Sequence, residues 1–264
     1  MRVVRDMADP NPSNDYLQEL LHQRKAWDRK ASLRAIYHLW YQRIVESLAP
    51  LVPTVEIGSG CGNFKTYYPR AVATDVVRAH ESIDRIVDAR DLPFGERQVG
   101  NFVLIDVLHH LSRPLQFLRS AQKALAPQGR IVILEPAGTP FARLIWKCCH
   151  HEPFDARQDL FGEAWQTWPC EDREAFSNMA IATILFRDRR EETLKCLPEL
   201  SLRSMEYSDF VVWPATGGFS YFGFMPACLV SPLHRLEHCL TSWCASKLTG
   251  LRVLIVLEKR PEAP

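Results

Sequence analysis

At 264 residues, with 47% hydrophobic and 24% charged side chains, the chain has enough apolar material to bury a sizeable core, and one elaborated domain over residues 1–264 is expected. A formal net charge of +1 supplies no general phosphate-binding surface and argues against a nucleic-acid partner. The first fifteen residues turn polar after four positions and no stretch reaches the ~18 apolar residues of a membrane span, so a cytoplasmic location is expected.

A helical stripe of Tyr16 to about Trp27 comes first. A stronger one follows, in which Leu33, Ile36, Tyr37, Trp40, Ile44, Val45 and Leu48 recur every three or four positions until Pro50 and Pro53 stop the pattern. Residues 1–50 therefore read as a helical lid. The texture then changes to short apolar runs, Thr54 to Ile57, Ala71 to Thr74, Arg85 to Val87, Phe102 to Asp106 and Arg130 to Leu134, of the kind buried in a parallel sheet. Between the last two, Leu111, Leu115, Leu118, Gln122 and Leu125 share a helical face, with Ser112 as its expected cap and Gln128-Gly129 as its end.

Strands alternating with helices predict an α/β fold, doubly wound and Rossmann-like, with ligands beyond the carboxyl ends of the strands. Residues 51–137 form the cofactor-binding core of this reading, and 138–264 an acceptor-side insertion with the C-terminal strands. In that half, helices are expected at 139–149, 177–197 and 226–248, strands at 200–213 and 251–258, and an ordered insertion at 151–175. Eight cysteines without a CxxC pair read as reduced thiols. Cys148, Cys149, His150 and His151 are adjacent rather than spaced, so no metal is expected.

The strongest local signal is Val55-Glu56-Ile57-Gly58-Ser59-Gly60-Cys61-Gly62-Asn63, a strand entering a turn in which glycines let a ligand approach the backbone. A nicotinamide dehydrogenase wants G-x-G-x-x-G opening a full helix. Here the third glycine falls one residue early and Pro69 cuts the helix short, which leaves an NAD(P)-dependent oxidoreductase as a lesser alternative. Asp75 ends the second strand at about the distance, some twenty residues on, where a carboxylate accepts ribose hydroxyls. Asp88-Ala89-Arg90-Asp91-Leu92-Pro93-Phe94 follows the third strand, and Val107-Leu108-His109-His110-Leu111 the fourth. Each element also has a purely structural explanation: a turn, a loop cap, a packed histidine.

Taken together, the series resembles the class I S-adenosylmethionine-dependent methyltransferases, in particular the small-molecule group called methyltransferase type 11. The resemblance covers residues 53–137 well and the rest loosely. It implies a mostly parallel seven-stranded sheet with an antiparallel C-terminal strand. It also implies S-adenosylmethionine held by Glu56, Gly58, Ser59, Gly60 and Gly62 at the methionine and ribose, by Asp75 with Val76 at the ribose side, and by Asp88 and Ala89 at the adenine. Asp106 stands near the methyl donor in the same reading.

Methyl transfer is an in-line displacement, so an enzyme aligns donor and acceptor and supplies a base where a proton must leave. His110, His151 and Glu152 are the candidate catalytic residues, with Glu135 and His150 beside them. His150-His151-Glu152-Pro153-Phe154-Asp155 is similar to an H-E-P-x-D pattern in the same group. The expected partner is a small-molecule acceptor: a saccharide, a lipid-linked or membrane-peripheral substrate, or an apolar metabolite. The aromatic stretch 211–226 reads first as core packing, then as an acceptor pocket or membrane contact. A catalytically silent partner subunit or cofactor sensor is the alternative from another class.

Overall fold

Leu33, Ile36, Tyr37, Trp40 and Ile44 are at most 5% exposed because their spacing puts them on one face of helix α2 (Ala31–Ser47), which follows α1 (Asn14–Arg29). The computed structural model describes residues 14–150, 152–162, 176–240 and 243–261. The aromatic part of the α2 stripe is continuous: Tyr37 and Trp40 lie 4.5 Å apart, and Trp213 packs 4.9 Å from Trp40.

Seven strands, β1 (Thr54–Ile57), β2 (Ala71–Asp75), β3 (Arg85–Ile86), β4 (Val99–Ile105), β5 (Leu125–Pro136), β6 (Leu200–Ser208) and β7 (Arg252–Lys259), form one sheet in the order β3-β2-β1-β4-β5-β7-β6. The β1–β2, β1–β4, β2–β3 and β4–β5 pairs are parallel, whereas β7 is antiparallel to both neighbours. β7 is thus the one strand that opposes the rest. Strand order reverses between β1 and β4, and at such a switch point the crevice beyond the strand ends takes a ligand.

Alternation along the central strands builds two layers. Phe102, Leu104, Ile131 and Ile133 face a cluster with Phe117, Leu118, Ile184 and Phe186. Val103, Val132 and Leu134 face the other way, onto α2. Burial on both faces is what made these segments read as short continuous apolar runs. Asn101, fully buried, fastens the end of α2 to the sheet by donating to the Ala49 and Leu51 carbonyls and accepting from the Ala49 amide.

Several boundaries differ from the sequence expectations. Helix α4 (Pro114–Ala124) follows the short α3 (Asn63–Tyr67), and Arg113 rather than Ser112 stands at its cap position, without a side-chain cap bond. The helix ends before Gln128, which instead takes φ +63° inside β5. The 177–197 segment holds α6 (Ile181–Thr183) and α7 (Arg190–Cys196), with a π-helical stretch, Ile184–Asp188, between them. The strand expected over 200–213 stops at Ser208, and a short helix, α8 (Val212–Ala215), occupies its tail. The helix expected over 226–248 is recorded as α9 (Ala227–Leu240) and α10 (Trp243–Thr249). The 139–149 expectation corresponds to α5 (Pro140–Cys149), capped by the Thr139 hydroxyl. Most of the expected insertion at 151–175 lies outside the described residues.

Candidate active site

β1 delivers Glu56 to its carboxyl end with the side chain 3% exposed, and the turn after it places Gly58, Gly60 and Gly62 at φ between +54° and +71°. These are conformations that only glycine adopts cheaply. At Gly58 space is also short, since a Cβ would lie 2.6 Å from Val107 Cγ2. Ser59 locks this turn to β2: its amide donates to the Thr74 carbonyl and its hydroxyl accepts from the Thr74 amide.

Asp75 closes β2 and is buried; Oδ2 accepts from the Gly60 amide at 2.7 Å and Oδ1 from the Val77 amide at 3.3 Å. The Tyr16 hydroxyl of α1 donates to Oδ1 at 3.4 Å. Burial raises the Asp75 carboxyl against the amides that lower it, and burial with the Asp75 charge raises the Tyr16 phenol. Leu20 and Tyr16 join Cys61 and Val77 in a small apolar cluster, so α1 packs against the glycine turn.

Glu56 carries the clearest unfilled bond. Its Oε2 is buried and has no hydrogen-bond partner among the described residues. Burial, joined by the Asp75 charge and opposed by a bond to Ser59, pushes the carboxyl up to about 8. A buried carboxylate oxygen without a donor is costly unless a ligand supplies one. A cationic ammonium group meets that need.

Val76, beyond β2, is 38% exposed, whereas Ala89 is 6% exposed. The Asp88 carboxylate accepts from the Arg90 amide at 2.9 Å and from Arg90 Nε at 2.8 Å. Asp106, at φ +57°, pairs with Arg252 Nη1 at 2.6 Å. The buried Arg252 guanidinium lies 4.8 Å from the Trp40 ring centre, linking β7 to α2. Tyr37 reaches the same carboxylate, and burial with the Asp106 charge raises its phenol.

A second cluster lies at the end of β4, where Leu108–His110 form a single 3₁₀ turn. Glu135, fully buried at the end of β5, accepts from the Val107 and Leu108 amides with Oε1 and faces His109 Nδ1 with Oε2 at 2.5 Å. On the far side, His109 Nε2 lies 3.4 Å from Glu152 Oε2, and His110 Nε2 lies 3.7 Å from Glu152 Oε1. Burial lowers the His109 imidazole, but Glu135 and Glu152 overcome it and raise the group to about 10. Burial raises Glu152, and the two histidines bring it down to about 2. His110 moves the other way, lowered by burial and by the His109 charge.

Of the candidate catalytic residues, the structure brings His110 and Glu152 together; His151 lies outside the described residues. His109, noted in the sequence within the Val107–Leu111 motif and as a packed ring, was not among the catalytic candidates, and Asn178 was not singled out. The Asn178 amide donates to the His109 carbonyl at 2.9 Å, and its side chain accepts from the Asp155 amide and donates to the Asp155 carbonyl. That staple holds the Glu152 segment against the histidine turn.

Residues 55–133 match a family model described as a methyltransferase domain. Over that segment the chain carries a methyltransferase domain of the class I, S-adenosylmethionine-dependent kind. Its cofactor is S-adenosylmethionine. No curated protein matches the sequence. Among solved structures, the fold is similar to that of a SAM-dependent methyltransferase from Thermotoga maritima titled a possible histamine N-methyltransferase, at 13% identity and TM-score 0.54, covering 93% of this chain and 99% of that one. A Haloferax volcanii complex between the Trm112 methyltransferase activator and a methyltransferase gives 13% identity and TM-score 0.52, covering 95% and 98%. A SAM-dependent methyltransferase from Archaeoglobus fulgidus gives 11% and 0.51, covering 86% and 94%. The methyltransferase topology places the glycine turn, Asp75, Asp88 and the histidine turn along one edge of the sheet, beyond the strand ends. The shallow depression outlined by Glu96, Lys123, Glu199 and Lys259 lies at the opposite end and brings none of these groups together.

Proposed function

We propose that this methyltransferase moves the methyl group of S-adenosylmethionine to an oxygen or nitrogen of a small-molecule acceptor presented at His110 and Glu152. The carrying observation is the meeting of these two side chains at the end of β4, beside the strand ends that bear Glu56 and Asp75. Bound there, the cofactor supplies a methyl group on a cationic sulfur, already activated toward attack.

The chain's own residues do the rest. The unpartnered Glu56 oxygen receives the cofactor's ammonium, Asp75 its ribose hydroxyls, with Val76 alongside, and Asp88 with Ala89 the adenine edge. Gly58, Ser59, Gly60 and Gly62 shape the backbone that lies against it, and α1 closes over this side. His110, whose imidazole is lowered by burial and the His109 charge, turns Nε2–H toward Glu152, which orients the ring, and keeps the Nδ1 lone pair for the acceptor's proton. Base assistance of this type contributes roughly 10²- to 10⁴-fold.

A lipid-linked or otherwise amphiphilic acceptor is favoured by a separate observation. Phe222 and Phe224 are 89% and 75% exposed, and their loop is fastened through Tyr221 to the Cys149 carbonyl, three residues before Glu152. Trp213 and Phe219 of the same stretch pack instead against Tyr37.

The test is incubation with methyl-labelled S-adenosylmethionine and cell extract, followed by mass spectrometry of the aqueous and organic phases. A new labelled species in either phase identifies the acceptor class. His110→Ala should cut turnover at least 100-fold while leaving cofactor affinity within about threefold. Absence of cofactor binding at millimolar ligand would sink the reading, and binding of NADH in its place would favour hydride transfer.

A further inference from the structure

We propose that His109, His110 and Glu152 form a binding site for one divalent transition-metal ion, with Glu135 as its outer support. One ligand atom from each of the three side chains falls within 4.8 Å of the others. Around a four-coordinate ion with bonds of about 2.0–2.1 Å, ligand atoms sit roughly 3.4 Å apart. His109 Nε2 lies 3.4 Å from Glu152 Oε2 and His110 Nε2 3.7 Å from Oε1, so the carboxylate spans both rings, the first separation at that value and the second slightly beyond it. The remaining contraction falls on His110, whose side chain is 46% exposed.

The environment of His109 is that of a built ligand rather than a packed ring. Glu135 is fixed by two backbone amides and holds Nδ1, so that a metal displacing the Nε2 proton would find that nitrogen already facing Glu152 and the remaining proton kept on Nδ1. A carboxylate behind a histidine is the usual outer arrangement of a metal-bound imidazole. Charge balance agrees: two carboxylates, Glu135 and Glu152, face the cluster, and a divalent ion bound to neutral imidazoles brings the sum to zero. The adjacency that argued against a metal at Cys148-Cys149-His150-His151 does not apply to His109-His110. Their 3₁₀ turn sets the two rings 4.1 Å apart, and Glu152 arrives from another segment.

Two imidazoles and one carboxylate suit zinc, cobalt, nickel, manganese or ferrous iron, not magnesium. The exposed His110 side leaves coordination positions open, as in reactive rather than structural sites. An acceptor hydroxyl bound there would give up its proton to solvent water more readily, so that with the ion present His110 would serve as ligand and not as base. That role rests on the methyl-transfer reading; metal binding itself does not.

The experiment is titration of the full chain with Zn²⁺ and, separately, Co²⁺, without S-adenosylmethionine, read by calorimetry and by the visible absorption of Co²⁺. One equivalent should bind at micromolar concentration or tighter, with bands of a nitrogen- and oxygen-ligated site and no thiolate charge-transfer band. His110→Ala and Glu152→Gln should each weaken binding at least tenfold, and Glu135→Gln by about 10- to 100-fold. His110→Ala lies at the surface and should keep the wild-type circular dichroism, so its result stands whether or not Glu135→Gln folds. Less than 0.2 equivalents bound at 50 µM metal, a thiolate band, or full affinity in His110→Ala would overturn the site. S-adenosylmethionine affinity, measured on the same protein, reports separately on the methyltransferase reading.

Discussion

Binding of S-adenosylmethionine should expel a proton, and Glu56 should be its source. With the carboxyl at about 8 in the free protein, about 0.9 of the molecules carry the proton at pH 7 and about 0.1 at pH 9. A ligand ammonium at the unpartnered Oε2 favours the carboxylate, so binding at pH 7 releases close to one proton. Affinity should therefore rise almost tenfold per pH unit from 6 to 7 and flatten near 8, above which the ligand's own α-amino group, at about 7.7–8.0, loses its charge. Glu56→Gln should bind about 10- to 100-fold more weakly at pH 8, the worth of a charged hydrogen bond of roughly 1.5–3 kcal/mol, and should converge on wild type at pH 6, where the native carboxyl is already neutral. The folded-state value exceeds the ordinary 4.5, so the contribution of Glu56 to stability is present below 4.5 and lost as pH rises through 8. The cofactor-free variant should accordingly escape part of the thermal destabilisation that wild type suffers across that window. Calorimetry in buffers of different ionisation enthalpy counts the protons. A release under 0.2 at pH 7, or an unchanged release in Glu56→Gln, would refute the placement of the ammonium.

Tyr16→Phe removes a hydroxyl that occupies Asp75 in the free protein. Cofactor affinity should tighten two- to fivefold by calorimetry, about 0.5–1 kcal/mol; weaker binding would mean that Tyr16 belongs to the ligand's contacts rather than competing with them. Asp106→Ala strips Arg252, 4% exposed, of its counter-ion. Denaturant unfolding should show a loss near 3 kcal/mol, the lower end for a broken buried pair because Asp106 is partly exposed. Adding Arg252→Met should restore much of the loss, and no recovery in the double variant would locate the effect in the strained Asp106 turn.

The turn and strand-end geometry of the proposed cofactor half was legible because its determinants are local. Glycine in the left-handed region, a carboxylate at the end of β2 and another after β3 are each fixed by a few neighbouring residues, so spacing along the chain carries the geometry. The central strands were legible too, since burial of both sheet faces shows in the sequence as short apolar runs, whereas the seven-stranded arrangement came from the family resemblance. Helix ends were less legible. Ser112 has the chemistry of a cap, but the chain does not turn into the helix until Pro114, so Arg113 takes the position. The 200–213 segment is apolar at its end because Val212 joins the α2 core as a helical residue, not because β6 continues. Burial alone does not specify which backbone achieves it.

The histidine–glutamate cluster depends on a different kind of information. His109, His110 and Glu152 come from two segments whose approach is set by a third, through the Asn178 amide on the His109 carbonyl, the Met179 amide on the Pro153 carbonyl, and the paired bonds between Asn178 and Asp155. None of these bonds leaves a periodicity, and an asparagine before an apolar helix looks like a cap. In the folded chain it acts as a splint across the insertion. His109, read as a packed ring, is indeed buried and bonded, yet the bond to Glu135 is what directs its second nitrogen outward to Glu152. Packing and chemistry are therefore not competing explanations at this position: burial of the Glu135–His109 pair fixes the ring so that the adjacent, exposed His110 and the incoming Glu152 meet a preset partner.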